Sequence, residues 1–172
     1  VTGYIVRRDG TALTPVLPGT ATSFTDTGLA SVSTHSYTVT ARDAAGNVSE
    51  SAVVSATTTD TTPPTPPTNV TATGGAGTIS LTWTASTDNV AVIDYVVKRN
   101  GTALAPITGT TFTDTGLASA TAYSYTVTAR DAAGNPSTES AVVSATTLDT
   151  TPPTTPTGLV ATAAVGEATI NL

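Results

Sequence analysis

Hydrophobic and polar residues alternate singly along much of this chain. Between Thr78 and Thr84, Ile79, Leu81 and Trp83 fall on one parity and Ser80, Thr82 and Thr84 on the other. That period of two is the signature of a strand with one buried face. Residues 94–99 put Tyr95 and Val97 on one face and end at Asn100-Gly101, a strong turn signal. Across 122–130, Tyr123, Tyr125, Val127 and Ala129 oppose Ser124, Thr126, Thr128 and Arg130. Further strands are expected over 69–73, over 110–114 with Phe112, and over 140–147. Six or seven short strands within about 90 residues predict an all-β fold, an antiparallel sandwich. Its expected core is Trp83, Tyr95, Val97, Leu117, Tyr123, Tyr125 and Val127.

Helix is a poor alternative. Thr makes up roughly a quarter of the chain, and Gly or Pro interrupts nearly every window long enough for a helix. Disorder is opposed by a hydrophobic content of 38% and by charged residues at only 10%.

The 172 residues repeat themselves. Tyr4-Ile5-Val6-Arg7-Arg8-Asp9-Gly10 returns as Tyr95-Val96-Val97-Lys98-Arg99-Asn100-Gly101, an offset of 91. Tyr37-Thr38-Val39-Thr40-Ala41-Arg42-Asp43 returns as Tyr125 to Asp131, an offset of 88, and Asp60-Thr61-Thr62-Pro63-Pro64 returns as Asp149 to Pro153, an offset of 89. Small changes of offset place the insertions in loops. The chain therefore divides into 1–59, the later part of a module from its third strand onward, then 60–148, a Pro-rich linker and a complete module. Residues 149–172 are a linker and the first two strands of a third. The plain expectation is a window on a longer array, a processed or excised piece with no initiator Met. A sharper one is strand donation, in which 149–172 of one copy complete 1–59 of another, a route to self-association or filaments.

With these residues placed, the module resembles a fibronectin type III domain of the kind that spaces secreted bacterial chitinases, cellulases and surface proteins. The Pro-rich lead with Asn69-Val70, Trp83, Tyr95-x-Val97 and Leu117 followed by Tyr123 and Tyr125-x-Val127 carry the resemblance, together with Asp88-Asn89-Val90 and 130–135. It implies a tyrosine corner formed by Leu117 and Tyr123. His35 occupies the corresponding position of the first module, which implies a weaker or rearranged corner there.

Candidate chemistry is sparse. With no Cys, the chain has no disulfide, thiolate metal site or thiol nucleophile. The complete repeat has no His, so a Ser-His-Asp arrangement cannot be built within it, and His35 is expected to be structural. A formal charge of -6 argues against nucleic acid as a partner, and no apolar run reaches the roughly 18 residues of a membrane helix. Lys98, the only Lys, lies on the outward parity, which excludes an isopeptide cross-link.

One site remains. In this topology the loops bearing Asp88, Asn89, Asp131 and Asn135 share the N-terminal pole of the module, near the incoming Asp60. Two or three carboxylates with amide and backbone oxygens are what calcium takes. The plainer reading is ordinary loop and turn chemistry. The Pro-rich linkers are expected to be semi-rigid, extended spacers.

The sequence reads as a non-catalytic spacer array, not an enzyme, extracellular or at the cell surface, with neighbouring modules as its partners. Two alternatives are accessory modules of a secreted polysaccharide-degrading enzyme and glycan-binding adhesin modules, the latter ill served by 5% aromatics.

Overall fold

In the computed structural model, residues 1–13, 15–163, 166 and 170–171 are described, and they contain strands and turns with no helix. The first module contributes β1 (Gly3–Arg8), β2 (Thr11–Ala12), β3 (Leu17–Pro18), β4 (Thr34–Arg42) and β5 (Val54–Thr57). The second holds β6 (Thr68–Gly75), β7 (Thr78–Thr84), β8 (Val92–Arg99), β9 (Thr102–Ala103), β10 (Thr111–Thr115), β11 (Ala122–Asp131) and β12 (Val143–Thr146). A last hairpin pairs β13 (Thr162–Ala163) with β14 (Ile170–Asn171).

The second module is a sandwich of a three-stranded sheet, β10-β7-β6, on a four-stranded sheet, β12-β11-β8-β9. Every ladder is antiparallel. The alternation read from the sequence sets which faces meet. Ile79, Leu81 and Trp83 from one sheet and Tyr95, Val97, Tyr125, Val127 and Ala129 from the other form one buried cluster. Leu117, Tyr123 and Phe112 pack against it and are half-buried. The rings of Trp83 and Tyr95 meet edge to face, with centroids 5.5 Å apart, an arrangement favoured by the ring quadrupoles.

Turn chemistry fixes the hairpins. Arg99 pairs with Thr102, leaving a two-residue loop of Asn100 (φ 48) and Gly101 (φ 81). Positive φ at both positions is the requirement of a type I′ turn. The strand expected over 140–147 is shorter than its pattern, because Ser140 and Ser137 turn inward. Their hydroxyls accept from the amides of Val127 and Ala129, each at 3.0 Å.

The first module has a five-stranded sheet, in the order β2-β1-β4-β5 with β3 also paired to β1, without the hairpin that covers the corresponding sheet in the second. Val127 is 0% exposed, whereas its counterpart Val39 is 50% exposed. Tyr4, Val6, Leu17, Phe24, Tyr37 and Val39 line an open groove of about 790 Å³. Residues 23–27, the counterpart of β10, form no strand, since they have no β7 to pair with.

The linker into the second module is packed on that module rather than standing off it. Pro64 and Pro67 are buried, and the Thr65 amide donates to the Thr87 carbonyl at 2.9 Å. Residues 64–67 are thus laid on the second module. After the second module the chain differs, with Pro152, Pro153 and Pro156 all exposed.

Candidate functional site

The loop after β7 and the loop after β11 end at the same pole of the second module, and the linker enters there. Asp60, Asp88 and Asp131 each bring a carboxylate oxygen to this point, all within 4.8 Å of one another.

Each carboxylate is fixed by local chemistry. Asp60 Oδ1 accepts from Ser31 Oγ (2.8 Å), the Thr62 amide (3.0 Å) and Asn89 Nδ2 (3.2 Å). The Thr62 amide and then the Ser31 hydroxyl hold its carboxyl below the usual range, since donors favour the charged form. Asp88 Oδ2 accepts from the amides of Val90 (2.8 Å) and Ala91 (3.1 Å), closing its own loop. Asp131, wholly buried, accepts from the Asn135 amide at Oδ1 (2.8 Å) and from Asn135 Nδ2 at Oδ2 (2.7 Å). Asn135 Nδ2 also reaches the Asp60 carbonyl at 3.3 Å, tying the loop to the linker.

The donors are unevenly shared. Asp60 Oδ2 and Asp88 Oδ1 are buried and accept no hydrogen bond. Asn89 and Asn135 each turn the NH₂ toward a protein oxygen, Asn89 to Asp60 Oδ1 and Asn135 to Asp131 Oδ2, so each positions a carboxylate.

The polar pairs of the two modules are otherwise structural. Arg99 Nη1 donates to both oxygens of the buried Asp114 (2.9 and 3.0 Å), and the Tyr125 hydroxyl donates to Asp114 Oδ2 at 2.8 Å. Burial first, and then the bond to Asp114, push the Tyr125 phenol up from its ordinary value. The first module repeats this with Arg8, Asp26 and Tyr37. Sequence reasoning missed the network, although its signal was present, because the three residue types recur in phase at both copies. Arg130 forms a fork onto Asp94 across the β11–β8 ladder at 2.7 and 2.6 Å. Lys98 pairs with Glu139.

Tyr123 donates no corner bond of its own. Its hydroxyl accepts from the Ala118 amide at 3.2 Å, one residue past Leu117. In the first module the ring nitrogens of His35 meet Asp9 Oδ2 (2.7 Å) and Ser33 Oγ (3.1 Å). This places Ser, His and Asp in a row, but the Ser33 hydroxyl donates to the Ala30 carbonyl at 2.7 Å. The hydroxyl is thus turned to the backbone, where it braces the turn, whereas a nucleophile activated by His would donate to the ring.

Residues 65–146 match the sequence model of the fibronectin type III domain. Together with its seven strands in two sheets, this identifies the central module as a member of that family. The chain is 48% identical over 174 residues to Exoglucanase B of Cellulomonas fimi, covering 94% of this chain and 16% of that protein. It is 46% identical over 162 residues to Chitinase A1 of Niallia circulans, covering 89% of this chain and 23% of that one. The chain therefore spans less than a quarter of either relative. Among solved structures, the FN1–FN3 domains of chicken CNTN1 align with a TM-score of 0.52 at 20% identity, over 86% of this chain and 56% of theirs. That likeness shows the fold. No helix among the described residues is long and apolar enough to cross a membrane.

Proposed function

We propose that this chain is a non-catalytic spacer array, extracellular, belonging to a larger polysaccharide-acting protein. The observation that carries the reading is where the reactive and sticky side chains go. In the complete module Trp83, Tyr95 and Tyr125 are buried and Phe112 and Tyr123 half-buried, so no aromatic platform faces solvent for a sugar ring. Its carboxylates at Asp94 and Asp114 are engaged by Arg130 and Arg99, which leaves neither free as a general acid or base. Two relatives whose names denote glucanase and chitinase activity share this stretch over a small part of their lengths. A module that recurs across different hydrolytic specificities is not the element that sets them.

The test is to incubate the chain with insoluble chitin and cellulose. Neither retention on the solid nor release of reducing sugar is expected. Retention would favour the adhesin reading, and sugar release would overturn the spacer reading outright. Small-angle scattering in parallel reads out association: donation of residues 149–172 into the first module's groove requires an apparent mass that rises with concentration.

A further inference from the structure

We propose that Asp60, Asp88 and Asp131 bind one divalent cation, calcium by its all-oxygen donors, at the joint between residues 1–59 and the second module. The consequence for stiffness rests on the spacer reading; the binding itself does not.

Three observations meet at this point. First, the carboxylate oxygens lie within 4.8 Å of one another. Oxygens on opposite sides of one Ca²⁺ stand up to about 5 Å apart, twice the 2.3–2.6 Å bond, so one ion can touch all three. Second, the hydrogen-bond donors crowd onto one oxygen of each linker and loop carboxylate and leave the other bare. Asp60 Oδ1 accepts three hydrogen bonds and Asp88 Oδ2 accepts two, while Asp60 Oδ2 and Asp88 Oδ1 are shut from solvent with none. A buried acceptor without a donor is costly, and the cost disappears when the missing partner is a cation. Third, Asp131 is 0% exposed and takes its two hydrogen bonds from Asn135, a neutral amide. Buried charge calls for an opposite charge or a metal, and none of the ion pairs of the described residues includes Asp60, Asp88 or Asp131. The amides of Asn89 and Asn135 then act as the outer groups that orient ligands.

The repeat supplies an internal control. Asp43 makes the same two bonds with Asn47 that Asp131 makes with Asn135, yet it is exposed. Asp131 differs in having a linker carboxylate and Asp88 beside it. At the far end of the second module, Asp149 Oδ1 accepts from Ser119 Oγ (3.1 Å) and the Thr151 amide (2.9 Å), as Asp60 does from Ser31 and Thr62. The linker half of the site is therefore built twice, which is what a device belonging to every joint would show. Ligands from the linker and from two loops of the next module mean that the ion clamps one to the other.

The experiment is calcium titration of the intact chain by calorimetry, with thermal melts in calcium and in chelator. One ion per chain is expected, with a dissociation constant on the order of 10⁻⁴ to 10⁻³ M, as in extracellular modules. The melting temperature should rise with calcium. Asp88→Asn keeps the oxygen that closes its loop and removes the charge, so it should weaken binding at least tenfold with the melt in chelator unchanged. If that variant misfolds, the wild-type titration decides alone. No heat and no melting shift up to millimolar calcium would overturn the proposal, as would wild-type affinity in a folded Asp88→Asn. An array inert toward polysaccharide but blind to calcium would sink this inference and leave the spacer reading standing.

Discussion

Asp114 sits at 6% exposure between Arg99 and Tyr125, and its removal would strand a guanidinium and a buried hydroxyl together. Losing charged hydrogen bonds at a buried site costs on the order of 2–3 kcal/mol. Asp114→Ala should therefore lower stability by about that amount, read as a shift in denaturant midpoint with an unchanged slope. Asp26→Ala, its counterpart in the uncovered module, should cost less, because Arg8 and Tyr37 can rehydrate beside the open groove. The contrast shows why the network was not legible from strand pattern alone. Alternation marks Tyr125 as inward by its ring, but says nothing about where its hydroxyl lands. That depends on β10 of one sheet lying across from β11 of the other, 11 residues apart in the chain. His35 illustrates the same limit. Its place in the corner was readable by alignment with Tyr123, while its partners, Asp9 and Ser33, come from two separate turns whose meeting no periodicity reports.

Strands were legible where side-chain period and turn chemistry agree. Thr78–Thr84 is an unbroken alternation, and the Asn100-Gly101 loop ends β8 where its dihedral demands say it must. The element-scale misses are of another kind. Residues 64–67 carry the composition of a solvated spacer, yet Pro64 and Pro67 are buried, because an extended proline segment has a flat apolar side that costs little to order. Gly74 marks a second feature that period cannot show, the approach of β6 to β12 from the opposite sheet. A Cβ added there would stand 1.9 Å from the Thr146 carbonyl oxygen. Backbone lies on both sides of that contact, so no side-chain rotation relieves it. Gly74→Ala should force the two sheet edges apart and cost about 1–3 kcal/mol, the range for overpacking. A thermal melt of the variant against wild type checks it, and an unchanged melting temperature would mean that the edges do not meet this closely.

At the scale of the whole chain, the joint is governed by which segment each linker residue belongs to. Thr65 pairs with Thr87 and Pro64 and Pro67 are buried, so residues 64–67 move with the second module. Asp60 is held from the other side by Ser31, whose hydroxyl donates to Asp60 Oδ1 while its oxygen accepts from the Thr61 amide at 3.0 Å. Asn89 and Asn135 reach the same residue from the second module. Relative motion between modules must then break one of these two sets of two bonds, and the whole Ser31 set runs through one hydroxyl. Ser31→Ala should release residues 1–59 from the joint without unfolding either module, since the hydroxyl's partners are linker residues Asp60 and Thr61. Amide relaxation should then give one tumbling time for both modules in the wild type and two in Ser31→Ala, with chemical shifts away from the joint unchanged. A wild-type chain that already shows two tumbling times without calcium would place the stiffness in the ion alone, and one that shows a single time in the variant would place it in the buried prolines.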